Sequence, residues 1–387
     1  MSGSTAVGAG LEGLAAPCLE CRAVVVVPAR NEEAGLAATL DALRMQVGLD
    51  GRSLRWESYE VLLLLNNCTD RSAAVAEKYT VDHEGFQLHV LECELAAEVA
   101  HVGTARRRLM DLACERLDSL GAEGSAILST DADTLVAEDW IAANLAAIGA
   151  GAEVVGGAIE LLTEDFQGLG PGLRLAYERD GAYQGLVARL EAMLDPDPAD
   201  PWPRHLQHFG ASLACTPAIY RRCGGLPAVK PLEDVAFVDA LRKVGARIRH
   251  APEVRIFTSA RLDGRAEVGL SGQLRHWQDE GERGLPQIVD SAEWLEHRFK
   301  TLASLRRLDL ADLRAYPEQW RERLARLGAE KLPVPRFLEL LDCNGLIEEM
   351  FRELPGEPRR RGEICEVMMR LREMVASRSQ IARRGTG

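Results

Sequence analysis

Ala126-Ile-Leu-Ser-Thr-Asp131-Ala-Asp133 is the stretch on which the fold turns: a short apolar run that ends in two aspartates one residue apart. Such a run reads as a buried strand, and open α/β sheets bind ligands in the crevice beyond the carboxyl ends of their strands. Two carboxylates at that place can hold a hard divalent cation, and magnesium is commonly held by one or two carboxylates together with substrate phosphates. Asp-x-Asp is also a common turn composition, so the pair takes its meaning from its neighbours.

Upstream, Ala23-Val-Val-Val-Val27 is continuous and β-branched, as a strand covered on both faces would be. Asn31-Glu-Glu can start a helix whose Leu36, Leu40 and Leu43 follow a 3.6 period. Val61 to Leu65 reads as a second buried strand, Arg71 to Tyr79 as a helix, and Leu88 to Leu91 as a third strand. A helix near Thr104 to Leu120 then leads into the strand 126–130. Four alternations of strand and helix predict a mostly parallel sheet with helices on both faces.

Downstream, Val154 to Ile159 opens a less regular half. Asp195-Pro-Asp-Pro-Ala-Asp-Pro-Trp-Pro203 is too proline-rich for helix or central strand, and residues 163 to 208 read as loops that would shape a pocket. From about residue 290, Leu338, Leu340, Leu341, Ile347 and Met350 keep helical spacing. The expected organisation is a flexible leader over 1–20, a main α/β domain over 21–288 and a C-terminal helical region over 289–387.

With 46 basic against 59 acidic residues the formal charge is -13, which disfavours a general nucleic-acid binder. No run approaches the roughly 20 apolar residues of a membrane span, and no basic-then-apolar signal opens the chain. The expectation is a cytoplasmic protein without an integral membrane segment. The nine cysteines are scattered, among them Cys68, Cys93, Cys114, Cys215 and Cys343, and read as free thiols. Cys18 and Cys21 form a single Cys-x-x-Cys with no second pair to complete a zinc site.

Polar residues leave neighbouring strands together. Val27-Pro28-Ala29-Arg30-Asn31-Glu32 can frame a nucleotide with amides, a guanidinium and an acidic group, or be a turn capped by Asn31. Leu65-Asn66-Asn67-Cys68-Thr69-Asp70 exits the second strand alike. There Asn66 or Asn67 can offer an amide to a base edge, and Thr69 or Asp70 a helix cap.

Taken together, these motifs resemble those of glycosyltransferase family 2 with its GT-A fold, a Rossmann-like mostly parallel sheet flanked by helices. Pro28, Asn31 and Glu32 match the opening Pro-x-x-Asn-Glu, and Asn66 to Asp70 the Asp/Asn-rich turn. Gly103-Thr-Ala105-Arg106-Arg107 resembles the Gly-x-x-x-Ala-Arg-Asn helix start, and Asp131-Ala132-Asp133 the Asp-x-Asp motif. Phe209-Gly210-Ala-Ser212 resembles the acceptor-side strand, Gly224-Gly225 the Gly-Gly turn, and Glu233-Asp234 the acidic pair opening a late helix. The likeness runs over about residues 22 to 260.

The resemblance implies a hexosyltransferase that moves a sugar from a UDP- or GDP-linked donor to a hydroxyl-bearing acceptor, inverting by family analogy. It places Mg²⁺ or Mn²⁺ directly on Asp133, with Asp131 binding the ribose or the metal through water. It also makes Asp234 the general base with Glu233 orienting the acceptor. Pro28, Ala29, Arg30, Glu32, Asn66, Arg106, Asp131, Ala132 and Asp133 would line the donor, Arg106 at a phosphate. In this chain Asn66 and Asn67 stand where many relatives carry aspartate, which leaves the base open.

Arg261 and Arg265 can grip the diphosphate or belong to a solvated loop, and His208, His250 and His276 are candidates for a third metal ligand. Gln273-Leu-Arg-His276-Trp277 resembles the Gln-x-x-Arg-Trp box of membrane-bound polysaccharide synthases, but without spans a processive synthase is not expected. The helical tail offers a place for two copies to associate. Two other readings are a sugar nucleotidyltransferase, which would want a glycine-rich phosphate loop after the first strand, and a scaffold with a decayed sugar site.

Overall fold

The structure, a computed structural model, describes residues 14–262, 269–307 and 361–384. Leu338, Leu340, Leu341, Ile347, Met350, Cys343 and Arg265, and most of the expected leader, lie outside the described residues. Of the described residues, 14–168, 207–240 and 247–262 make one compact unit, and 169–206, 241–246, 269–307 and 361–384 make another.

The first unit is built on β1 (Ala23–Ala29), β2 (Tyr59–Asn66), β3 (Leu88–Cys93), β4 (Ala126–Ser129), β5 (Thr134–Val136), β6 (Val154–Leu161), β7 (Leu213–Cys215) and β8 (Ile248–Thr258). Together they form one sheet in the order β3-β2-β1-β4-β7-β6-β8-β5. The first four are parallel, β7 runs antiparallel between β4 and β6, β6 pairs parallel with β8, and β5 is an antiparallel edge on β8. The expected α/β class, with a mostly parallel first half, is what the chain adopts. β1 is fully buried because its valines meet a layer on each face.

Alternation sorts those layers. Ala23, Val25, Val27 and Ala29 share a core with Leu36, Leu40 and Leu43 of α1 (Leu36–Arg44), Ala76 and Tyr79 of α2 (Ser72–Asp82), and Trp140 and Ile141 of α4 (Trp140–Gly149). The opposite face carries α3 (Val102–Leu120), whose Arg116 grips the buried Glu60 of β2 through two bonds of 2.5 and 2.6 Å. A buried ion pair holds only when both partners stay matched, so this one fastens α3 in register with the sheet. Burial works against the Glu60 charge, but Arg116 and His89 outweigh it and keep its pKa below the ordinary value.

Topology then points to a crevice. The chain steps outward from β1 to β2 to β3, then α3 carries it back across the sheet to β4 on the far side of β1. The order reverses between β1 and β4, and at such a switch point the two following loops part and leave room for a ligand.

Three local expectations are corrected. Residues 163–208 are mostly helical: α5 (Thr163–Gly168) is followed by α6 (Pro171–Leu194), and a loop occupies only the proline-rich part. Pro171 sits at a helix start, where its missing N–H costs nothing, and Leu173, Ala176, Tyr183, Val187 and Leu190 are buried at helical spacing. Asn31 does not cap α1, which starts at Leu36 after a turn.

Gly210–Ser212 is a single 3-10 turn before β7, where a strand was expected from Phe209. α7 (Pro217–Arg222) follows, then the Gly224–Gly225 turn, both glycines at positive φ, and α8 (Glu233–Lys243).

The second unit joins α6 to α9 (Leu270–Glu282), α10 (Ala292–Arg307) and α11 (Ile364–Arg384), with a two-stranded ribbon of β9 (Ile288–Asp290) and β10 (Arg361–Glu363). Its core gathers Tyr183, Val187 and Leu190 with Trp294, Leu295, Phe299, Leu371 and Met374. Burial of large apolar side chains, worth about 1.5–3 kcal/mol each, holds this bundle together.

Candidate active site

The loops after β1 and β2 are zipped together by their own polar side chains. Asn31 and Asn67 both take left-handed backbone, φ 56° and 49°, which asparagine tolerates better than most residues. The Asn31 side chain accepts from the Thr69 amide at 2.7 Å and donates to the Thr69 hydroxyl at 3.2 Å, while Asn67 exchanges two bonds with the backbone of Leu95. Amides of Glu32 and Glu33 donate to Ser72 and Asp70, and the Arg71 amide donates to Glu33. Asp70 also accepts from the first amide of α2; these bonds outweigh the cost of burial and hold its pKa below the ordinary range.

Asn66 ends β2 buried, and its Oδ1 has no hydrogen-bond partner among the described residues. Pro28 and Ala29 lie within β1 and are buried, and Arg30 at its exit donates to the Ala100 carbonyl at 3.1 Å.

Beyond β4, Ala132 turns into the core, its carbonyl accepting the Thr39 hydroxyl at 2.9 Å, so the two flanking carboxylates project elsewhere. Asp131 ion-pairs with Arg106 of α3, and the same guanidinium pairs with Glu233 at the start of α8. Asp234 is turned by two amides, accepting from Gly210 at 2.9 Å and Val235 at 2.8 Å. On the other side of the turn, Arg261 ion-pairs with Asp133 and reaches Glu32 at 3.7 Å. One cluster therefore holds Glu32, Asp131, Asp133, Glu233 and Asp234 around two arginines.

Its electrostatics follow from that crowding. Burial is the main force lifting the Asp131 pKa to about 6; Arg106 opposes it, and Asp133, Glu233 and Asp234 add to it. The side chain keeps 35 % of its surface open, so the carboxyl stays within reach of a ligand. Burial disfavours the Arg106 charge, but Asp131, Glu233 and Asp234 outweigh it and raise its pKa.

Close backbone approach makes the cluster possible. A Cβ on Gly210 would lie 2.5 Å from Arg106 Nη1, and one on Gly103 would lie 2.8 Å from the Val229 carbonyl and 3.0 Å from Glu233 Cβ. The Gly210–Ser212 turn is fastened by Ser129, which donates to the Gly210 carbonyl, and by Ser212, which accepts from Trp140. Leu232, directly before Glu233, has φ 66°, a conformation that costs a bulky residue energy and is met chiefly at functional sites.

Of the histidines, His208 and His250 face each other at 3.2 Å, and His276 pairs with Glu280 on its own helix. Arg106, expected at a phosphate, is instead buried with its guanidinium engaged by two carboxylates. Gly210 and Gly103 belong to the motifs quoted above but carried no sequence signal of this packing role.

The clustered carboxylates thus sit at the switch-point crevice of the sheet. The family model described as Glycosyl transferase family 2 matches residues 24–186. Glu233 and Asp234 fall beyond the matched segment.

Similar solved structures include a mannosyltransferase from Pyrobaculum calidifontis in complex with GDP-Man and Mn²⁺ (16% identity, 89% of this chain and 91% of that chain, TM-score 0.42). Another is S. aureus TarS 1-349 in complex with UDP-GlcNAc (16%, 84% and 92%, 0.42). A third is glucosyl-3-phosphoglycerate synthase from Mycobacterium tuberculosis with Mn²⁺, UDP-Glc and phosphoglyceric acid (22%, 70% and 84%, 0.36). No curated protein matches the chain. Among the described residues no helix is long and apolar enough to cross a membrane.

Proposed function

We propose that the protein transfers a sugar from a nucleoside-diphosphate donor to a hydroxyl acceptor, with inversion, at the carboxylate cluster between β1, β4 and α8. The observation that carries this reading is the convergence of Asp131 and Asp133 with Glu233 and Asp234 around Arg106 and Arg261. The donor set fits Mg²⁺ or Mn²⁺: two hard carboxylates one residue apart, with Asp131 partly open to solvent. When bound through Asp133 and Asp131, such a cation supplies positive charge to the departing diphosphate.

The remaining roles belong to the chain itself. Asp234, oriented by the Gly210 and Val235 amides, accepts the acceptor's hydroxyl proton as that oxygen attacks the anomeric carbon. Glu233, tied to Arg106, positions the acceptor. The unpartnered Oδ1 of Asn66 is suited to an N–H on a base edge, a feature shared by uracil and guanine.

Calorimetric titration of the full chain with UDP, GDP and their triphosphates, each with and without Mn²⁺, tests this reading. Metal-dependent diphosphate binding, abolished by Asp133→Ala, is expected. Binding without metal dependence would indicate a scaffold, and preference for a triphosphate a nucleotidyltransferase.

A further inference from the structure

The two arginines of the cluster are held in different ways. Arg106 is 3 % exposed, pinned between Asp131 and Glu233 and hemmed in by Gly210. Arg261 has a 38 % exposed side chain, and its partners Asp133 and Glu32 remain partly open, at 24 % and 12 %. Its backbone is anchored: Ser259 and the Ala260 amide both donate to Asp165, at 2.8 and 2.9 Å, and the Arg261 amide donates to the Ser259 hydroxyl at 3.3 Å. A fixed stem thus carries a guanidinium that can leave at small cost, because solvent-exposed ion pairs are weak.

We infer that Arg261 is a displaceable counter-ion that guards Asp133 and makes cation and diphosphate enter as a pair. The Asp133 oxygen that Arg261 occupies is one a divalent cation would need, and both cannot hold it at once. A free cation must expel the guanidinium and leave it beside Glu32 alone. A cation arriving with a diphosphate meets less opposition, since the released guanidinium, with its planar fork of donors, finds phosphate oxygens in place of the carboxylate. Arg261 is thereby a specificity-determining residue that discriminates the metal–diphosphate pair from metal alone. This inference rests on the metal–diphosphate reading of the site.

The test measures free Mn²⁺ by electron paramagnetic resonance over full-length wild type, R261Q, R261K, D133N and the R261Q/D133N double variant. Each is titrated with Mn²⁺ alone and with Mn²⁺ at saturating UDP or GDP. R261Q should bind Mn²⁺ alone about two- to fivefold more tightly than wild type, the scale of a largely exposed ion pair. The enhancement of Mn²⁺ affinity by nucleotide should shrink in R261Q by a comparable factor, and R261K, which keeps the charge but not the planar fork, should stay near wild type with Mn²⁺ alone and lose part of the enhancement.

If R261Q binds Mn²⁺ no more tightly than wild type while D133N still weakens binding, the counter-ion role is overturned and the metal site stands. If the gain in R261Q persists in the double variant, or no chain shows Asp133-dependent binding, the placement of the cation at Asp133 fails and the inference fails with it.

Discussion

Replacing Gly210 with alanine asks whether the carboxylate cluster is as tightly built as its distances imply. The new Cβ would lie 2.5 Å from Arg106 Nη1, 2.7 Å from Cζ and 3.1 Å from Nη2. Ordinary contact begins near 3.4 Å, so the guanidinium must retreat by about 0.9 Å, and overpacking of that kind costs about 1–3 kcal/mol. Retreat also loosens the pairs with Asp131 and Glu233, and breaking a buried pair outright costs about 3–5 kcal/mol. Alanine returns about 0.4–1 kcal/mol by restricting the unfolded chain, which leaves an expected net loss of about 2–4 kcal/mol.

Urea unfolding followed by tryptophan fluorescence reads this directly, because buried Trp140 donates to Ser212 in the same turn. Gly149→Ala is the control: its Cβ meets nothing within 4 Å, and stability should hold or rise by up to about 1 kcal/mol. A G210A chain within about 0.5 kcal/mol of wild type would refute the claim that Arg106 has no room to move.

Three further outcomes follow from the same contacts. Glu60→Gln leaves Arg116 buried without its partner and should cost about 3–5 kcal/mol in urea unfolding. Because the folded pKa of Glu60 is depressed, its contribution is present above the unfolded carboxylate value and lost as pH falls below it, so E60Q should also flatten the acid limb of stability.

For Asp131 the sign reverses: with a folded pKa near 6, the native state holds the proton more tightly than the unfolded chain. Wild type should therefore lose stability relative to Asp131→Asn as pH rises from 4 through 6, as urea titrations at pH 4.5 and 7.5 would show; an unchanged difference would put Asp131 in an ordinary environment. Asp234→Asn keeps an oxygen for the Gly210 amide, so donor binding should stay near wild type while sugar transfer falls on the order of a hundredfold or more; equal loss of both would reassign the residue.

Much of the first unit is legible in the order of its residues because the signals are local. Continuous apolar runs, β-branched in β1, mark β1, β2 and β4 as strands covered on both faces, and the polar residues after each mark the same edge of the sheet. Helix α6 is less visible because Arg174, Glu178, Arg179 and Asp180 interrupt its apolar positions, and only Pro171 and the spacing of Leu173, Ala176, Tyr183, Val187 and Leu190 betray it. The residues 163–208 pass for loop when the proline-rich end is weighted over that spacing.

What no local pattern carries is the partner of a charge. Arg106 and Glu233 lie 127 residues apart, and their pairing depends on α3 crossing back over the sheet and on two glycines that let α3, the Gly210 turn and α8 close on one guanidinium. Read alone, an arginine at a helix start beside a phosphate-binding edge looks like a phosphate ligand. Burial removes that freedom: a guanidinium taken out of water must be matched by charge at once, and Asp131 and Glu233 do so before any substrate arrives. In the proposed reading the phosphate-facing role falls to the arginine that remains exposed, Arg261, whose partners a cation and a diphosphate would replace in a single exchange.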